Sequence, residues 1–293
     1  MTSIQTVGVL GCGQMGSGIA QVAAVGGCQV LARDIDDGML TKGRAAIEAS
    51  LARFVEKGKL DAKARDAALG RIAFTTRLED LAGAHLVIEA VTEDLDLKNR
   101  LWAELDGFCP PETIFASNTS SLSIMAMATV TGRADRVIGL HFFNPVPIMP
   151  LVEVVRTVAS SPGVLSSATE FVRRIGKEPV AAKDSAGFIV NRLLIPYLLD
   201  AIRAVETGVA TIEDIDLGMK LGCGHPMGPL TLLDFVGLDT TCKVAEIMFD
   251  EFREARYAAP PLLKRMVLAG WLGKKSGKGF YDWSVNPPVA SQL

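Results

Sequence analysis

A chain of 293 residues exceeds the roughly 100–200 residues typical of one domain, so two domains sharing a cleft are expected. The composition, 49% hydrophobic and 22% charged with a formal net charge of -3, is globular and provides no basic field for a nucleic-acid backbone. The five cysteines are scattered and contain no Cys-x-x-Cys pair, so neither a disulfide framework nor a zinc site is predicted and a reducing, cytoplasmic setting is expected.

The few polar residues before Val7 leave no room for a signal or transit peptide, and no apolar stretch is long enough to span a bilayer. Thr6 to Leu10, Met15 to Val25 and Gln29 to Ala32 read as a βαβ unit and predict a parallel sheet. From Asp37 to Leu69 the alternation gives way to a charged helical insertion. There Ile47, Leu51, Phe54 and Val55 form an apolar stripe, with Ser50, Arg53 and Lys57 on the opposite one.

Strand patterns resume at Ile72 to Phe74, Leu86 to Ala90, Ile114 to Ala116, Val137 to Leu140, Leu151 to Val155 and Glu178 to Lys183, with a helix over Asp94 to Leu105. From Ser185 onward the sequence reads as helices separated by turns such as Gly222 to Pro226, which places the domain boundary near Asp184: residues 1–184, then 185–293. Pro196 falls inside the first of these helices and predicts a kink.

Gly11-x-Gly13-x-x-Gly16 follows a strand and opens a helix, with Gln14 and Met15 between the last two glycines. The backbone there can approach a pyrophosphate, whose charge is favoured at the helix N-terminus; a plain tight turn is the other reading. Asp34 ends the second strand, where a carboxylate accepts ribose hydroxyls and favours NAD over NADP. Alternatively it caps the helix after Asp36, and neighbouring Arg33 softens the discrimination.

Ser117-Asn118-Thr119-Ser120-Ser121-Leu122 lies at the carboxyl end of a predicted strand, where its hydroxyls either bond a substrate or cap a short helix. The following strand ends in His141-Phe142-Phe143-Asn144-Pro145; a histidine there is suited to proton transfer, or is simply structural. Glu153, set among apolar neighbours, is costly to bury without a partner; either His141 is that partner or the strand is an edge and Glu153 faces water.

Together with Pro226-Met227-Gly228-Pro229 and Gly273 to Tyr281, these motifs resemble the 3-hydroxyacyl-CoA dehydrogenases over essentially the whole chain. The fold implied is α/β: a Rossmann-type doubly wound sheet with an inserted helical hairpin (about 37–69), followed by an all-helical C-terminal domain. The resemblance implies His141 as general base, Glu153 as its orienting partner, Ser120 as a contact to the substrate oxygen and Asn191 as a polar contact from the helical domain. It also implies NAD contacts at Asp34, Glu93, Lys98, Ser120, Asn144 and Lys275, and coenzyme A contacts at Ser50 and Lys57. An acyl-CoA substrate and a homodimer built through the helical domain are further implications. Leu230, Leu232, Leu233, Phe235 and Val236 exceed what one helix face needs; either a second subunit or this domain's own core covers them. A hydroxy-acid or sugar-acid dehydrogenase on the same architecture is the alternative enzyme, and an NAD-binding regulatory protein without turnover is the alternative class.

Overall fold

In the computed structural model, which describes residues 3–292, the alternating apolar runs of the first half become one eight-stranded sheet. The chain divides into two units, the first ending at Ser185 and the second beginning at Ala186.

The first unit runs β1 (Thr6–Leu10), α1 (Gln14–Val25), β2 (Gln29–Arg33), α2 (Asp37–Glu56), α3 (Ala62–Leu69), β3 (Ile72–Thr75), β4 (Leu86–Glu89), α4 (Leu95–Asp106), β5 (Ile114–Ser117), α5 (Ile124–Ala128), β6 (Val137–Phe142), β7 (Leu151–Arg156), α6 (Pro162–Arg174) and β8 (Glu178–Lys183). The order across the sheet is β3-β2-β1-β4-β5-β6-β7-β8, and every pair is parallel except β6 with β7. Every residue of β4, β5 and β6 is buried, as expected of strands covered on both faces. Val9, Ile88 and Leu140 from the strands pack in one core with Ile19 of α1 and Phe171 of α6.

The insertion forms because each helix has a side-chain cap. Asp36 accepts the Met39 N–H at 2.9 Å at the start of α2, and Asp61 accepts the Ala64 N–H at 2.7 Å at the start of α3. Ile47 and Leu51 are buried, while Ser50 is half-buried and Lys57, the residue that ends α2, is exposed.

Two details depart from the sequence reading. β6 continues two residues past Leu140, because the antiparallel ladder with β7 pairs His141 with Glu153 and Phe142 with Val152. And β7 is no edge: β8 flanks its other side.

The second unit contains α7 (Val190–Glu206), α8 (Ile212–Cys223), α9 (Pro229–Val236), α10 (Leu238–Phe252) and α11 (Pro261–Leu268), followed by the two-residue strands β9 (Tyr281–Asp282) and β10 (Val289–Ala290), which pair antiparallel. α7 continues through Pro196 as one helix. Leu230 and Leu233 are fully buried in this unit's own core, whereas Phe235 and Val236 remain partly exposed. Among the described residues no helix is long and apolar enough to cross a membrane.

Candidate active site

The strand order reverses at β1, so the carboxyl ends of β1 and β4 border the crevice where doubly wound sheets bind ligands. The glycine loop fills this position. Gly11 has φ +92°, and a side chain there would meet the Ala90 carbonyl oxygen at 2.7 Å; at Gly16 it would meet the Gly11 carbonyl oxygen at 1.7 Å. Gly13 instead faces open space, with nothing within 4 Å of where a Cβ would stand. Gln14 is exposed and Met15 half-buried, both in the first turn of α1, whose N–H groups have no partner within the helix.

Asp34, immediately after β2, is buried and tied to this loop: Oδ2 accepts the Cys12 N–H at 2.6 Å and Oδ1 the Ile35 N–H at 2.7 Å. It does not cap α2, since Asp36 does. Each carboxylate oxygen keeps a second lone pair for a hydroxyl group. The Arg33 Nε–H donates to the Thr76 carbonyl at 3.2 Å, toward the β3 side.

At the ends of β4 and β5 lies a buried charged network. The Lys98 ammonium, 1% exposed, sits 2.5 Å from Glu89 Oε1 and 3.2 Å from Glu93 Oε2. Glu89, fully buried, also accepts the Ser117 hydroxyl at 2.6 Å and the Val91 N–H at 2.8 Å. Glu93 Oε1 accepts the Thr119 hydroxyl, the Ser120 N–H at 3.2 Å and the Ser121 hydroxyl at 3.4 Å. The Ser123 hydroxyl caps α5 and reaches Asp184. Among the described residues, Ser120 thus carries the one hydroxyl of this loop that makes no internal hydrogen bond.

His141 and Glu153 meet across the β6–β7 ladder, Nδ1 to Oε2, at 2.6 Å. Glu153 is fully buried and His141 nearly so, with the Phe143 ring 4.5 Å from the imidazole between centroids. An ionised carboxylate can only accept, so opposite one Nδ1 is the donor, and a neutral ring oriented that way presents its Nε2 lone pair. Asn118 joins the serine-rich loop to this ladder: its Oδ1 accepts the Phe142 N–H at 2.9 Å.

A pocket of about 410 Å³ lies between the glycine loop, α2 and the turn after β6. Its walls bring together Gly13, Gln14, Ser50 and Asn144, which the sequence reading had assigned to two different ligands. Lys57 stands outside this wall, at the end of α2.

Residues 6–185 match the sequence model of the 3-hydroxyacyl-CoA dehydrogenase NAD binding domain, and residues 187–283 match that of the family's C-terminal domain. The chain belongs to the 3-hydroxyacyl-CoA dehydrogenase family. It is 52% identical, over 96% of its length and 99% of the relative's, to a 3-hydroxybutyryl-CoA dehydrogenase of Mycobacterium tuberculosis. It is also 46% identical to the mitochondrial hydroxyacyl-coenzyme A dehydrogenase of Homo sapiens, covering 96% of this chain and 91% of that one. Among solved structures, the (S)-3-hydroxybutyryl-CoA dehydrogenase of Ralstonia eutropha superposes with a TM-score of 0.93 at 46% identity, covering 97% of this chain and 100% of that one.

As a member of this family the protein is an NAD-dependent dehydrogenase. The residues present fit the cofactor: the open face at Gly13 admits a pyrophosphate to the start of α1, and the anchored Asp34 offers acceptors to a ribose. Of the remaining site residues proposed from sequence, Asn191 is half-buried near the start of α7, and the Lys275 ammonium pairs with Asp239 at 2.6 Å; both belong to the second unit.

Sequence reasoning passed over Glu89, Asn118 and Ser117's internal role. Glu89 carried the same signal that drew attention to Glu153, an acidic residue inside an apolar strand, and Asn118 stood within a motif already singled out.

Proposed function

We propose that this dehydrogenase interconverts (S)-3-hydroxyacyl-CoA and 3-ketoacyl-CoA, with 3-hydroxybutyryl-CoA as its substrate. The observation that carries this reading is the His141–Glu153 pair, a buried imidazole hydrogen-bonded to a carboxyl group within the same sheet that holds the NAD loop. Relatives at 44–52% identity are named for that thioester.

In oxidation, neutral His141 accepts the proton of the 3-hydroxyl through Nε2, and Glu153 stabilises the imidazolium formed. In reduction the imidazolium returns that proton to the oxygen at C3. NAD, when bound, supplies the nicotinamide carbon that takes or returns the hydride. Ser120 offers its uncommitted hydroxyl to the reacting oxygen, and Asn191 is assigned a further substrate contact. Asp34, Glu93, Lys98, Asn144 and Lys275 are assigned to NAD, with Lys98 acting from within the Glu89–Glu93 network. Ser50, in the pocket wall, and the exposed Lys57 are assigned to coenzyme A; an ammonium on a flexible stem suits a mobile phosphate.

We assign the second unit to substrate binding and homodimerisation; the exposure of Leu193 on α7 and of Leu217 and Leu221 on α8 supports a partner surface there. Five unpaired cysteines suit a reducing, cytoplasmic setting.

The test is NADH oxidation, followed by absorbance, with acetoacetyl-CoA against free acetoacetate, repeated with NADPH. Turnover confined to the thioester and NADH is expected. Equal activity on the free acid would point to a hydroxy-acid dehydrogenase, and no turnover on either would overturn the catalytic reading.

A further inference from the structure

We propose that Lys177 is a positioning residue for this reaction: its buried ammonium holds the turn between β6 and β7 in the shape that forms one wall of the pocket. Lys177 precedes β8 and is 8% exposed. Its Nζ donates to the Val146 carbonyl at 2.6 Å and to the Met149 carbonyl at 2.7 Å. Burial pushes its pKa below the ordinary lysine value. An ammonium placed so is costly to desolvate, and its two hydrogen bonds give the Val146 and Met149 carbonyls a shared donor.

The segment it holds is the one that matters to the site. Asn144, Pro145, Val146 and Pro147 line the 410 Å³ pocket opposite Ser50. Within the turn, the Ile148 and Met149 N–H groups both donate to the Pro145 carbonyl at 2.9 Å, and the Glu178 N–H donates to the Pro150 carbonyl at 2.8 Å. The turn also rests on α1: Val146 is 2% exposed, and a side chain at Gly18 would stand 2.8 Å from its Cβ. The turn is therefore held both by a helix that offers bare backbone at Gly18 and by an ammonium that gathers two of its carbonyls. Lys177 itself does not line the pocket, so it acts through the turn and not on a ligand.

The inference rests on the dehydrogenase reading for its kinetic arm but not for its binding arm. Lys177→Met removes the donors while keeping the stem. The expected result is a rise on the order of tenfold in the Kd for NADH, read by fluorescence titration, and in the KM for acetoacetyl-CoA, with kcat within about threefold of the parent. The His141–Glu153 pairing lies on the ladder and not on the turn, so kcat is spared.

Lys177→Arg, which keeps a cationic donor, should restore part of both affinities. Lys177→Gln, which keeps neutral amide donors on a shorter stem, should raise the same two constants by less, and it carries the test if Lys177→Met does not fold. Unchanged Kd and KM in folded Lys177→Met, or in folded Lys177→Gln where Lys177→Met does not fold, would overturn the proposal, as would a fall confined to kcat. If the parent enzyme fails to reduce acetoacetyl-CoA while Kd for NADH still shifts, the substrate reading fails and the positioning role stands.

Discussion

His141 and Glu153 sit directly opposite each other on the antiparallel pair β6–β7, so the backbone register alone brings imidazole and carboxylate to 2.6 Å. Replacing either side chain leaves that ladder in place. His141→Gln is expected to lower kcat by about 10²–10⁴-fold with the Kd for NADH unchanged, since proton transfer is what is removed. The proposed mechanism uses the neutral ring in oxidation and the imidazolium in reduction, and it therefore predicts parental initial rates that favour oxidation at higher pH and reduction at lower pH. Glu153→Gln should weaken that separation. Identical pH–rate profiles in the two directions would remove His141 from the proton-transfer step.

Glu89 and Lys98 form a second buried pair, with Lys98 shared by Glu93. Breaking a buried pair from one side typically costs about 3–5 kcal/mol, because the other charge is left desolvated. Lys98→Met should therefore unfold at markedly lower denaturant, and Glu89→Gln/Lys98→Met should be less destabilised than the two single changes added together. Strict additivity of the unfolding free energies would show that the two groups do not couple.

Much of this site was legible because its elements are local. The glycine loop, the strand ends and the serine-rich loop are contiguous motifs, and the apolar stripe of Ile47 and Leu51 on α2 follows helical periodicity. What the sequence does not hold is register and direction. That β7 turns back against β6 decides whether Glu153 faces His141 or water, and a run of alternating apolar residues reads the same in both orientations. Lys177 was invisible for a related reason: its partners are backbone carbonyls, which any residues at 146 and 149 would supply. In the second unit, Leu230 and Leu233 on α9 read as a surplus of apolar residues but are that unit's own core.

The cysteines make a chemical probe of the glycine loop. Burial pushes the Cys12 thiol up to about 12, with Asp34 adding to the shift, and pushes Cys109 and Cys242 to about 11. Cys223, at the end of α8, is the exposed one of the five. The thiolate is the reactive form, so an aromatic disulfide reagent at mildly alkaline pH should label Cys223 quickly and leave Cys12 unmodified. Peptide mass spectrometry of the labelled protein reads the result. Comparable labelling at Cys12 would mean that the loop opens and that Asp34 does not hold it shut.

In the second unit, Asp234 of α9 accepts three hydrogen bonds at 2.8 Å, from the Phe280 and Tyr281 N–H groups and from the Trp283 indole, binding the Gly277-to-Trp283 segment to the helix. Asp216 of α8 shares the cluster through the Tyr281 hydroxyl at 2.9 Å. Burial pushes the Asp234 carboxyl above its ordinary range; the three donors oppose this, and Asp216 adds a smaller push in the same direction as burial. A folded-state value above the unfolded one means that the folded protein holds this proton more tightly. The associated stability is fully present below the ordinary aspartate value, about 4, and is lost as pH rises through the raised folded value. Asp234→Asn cannot titrate, and its amide sets an N–H against a donor, at a cost of about 1–3 kcal/mol. Denaturant unfolding from mildly acid to neutral pH should find the variant less stable throughout, with the gap widest at the acid end. A gap that grew toward neutral pH would reverse the sign of the linkage, and no gap at any pH would show that this acceptor cluster does not hold the segment.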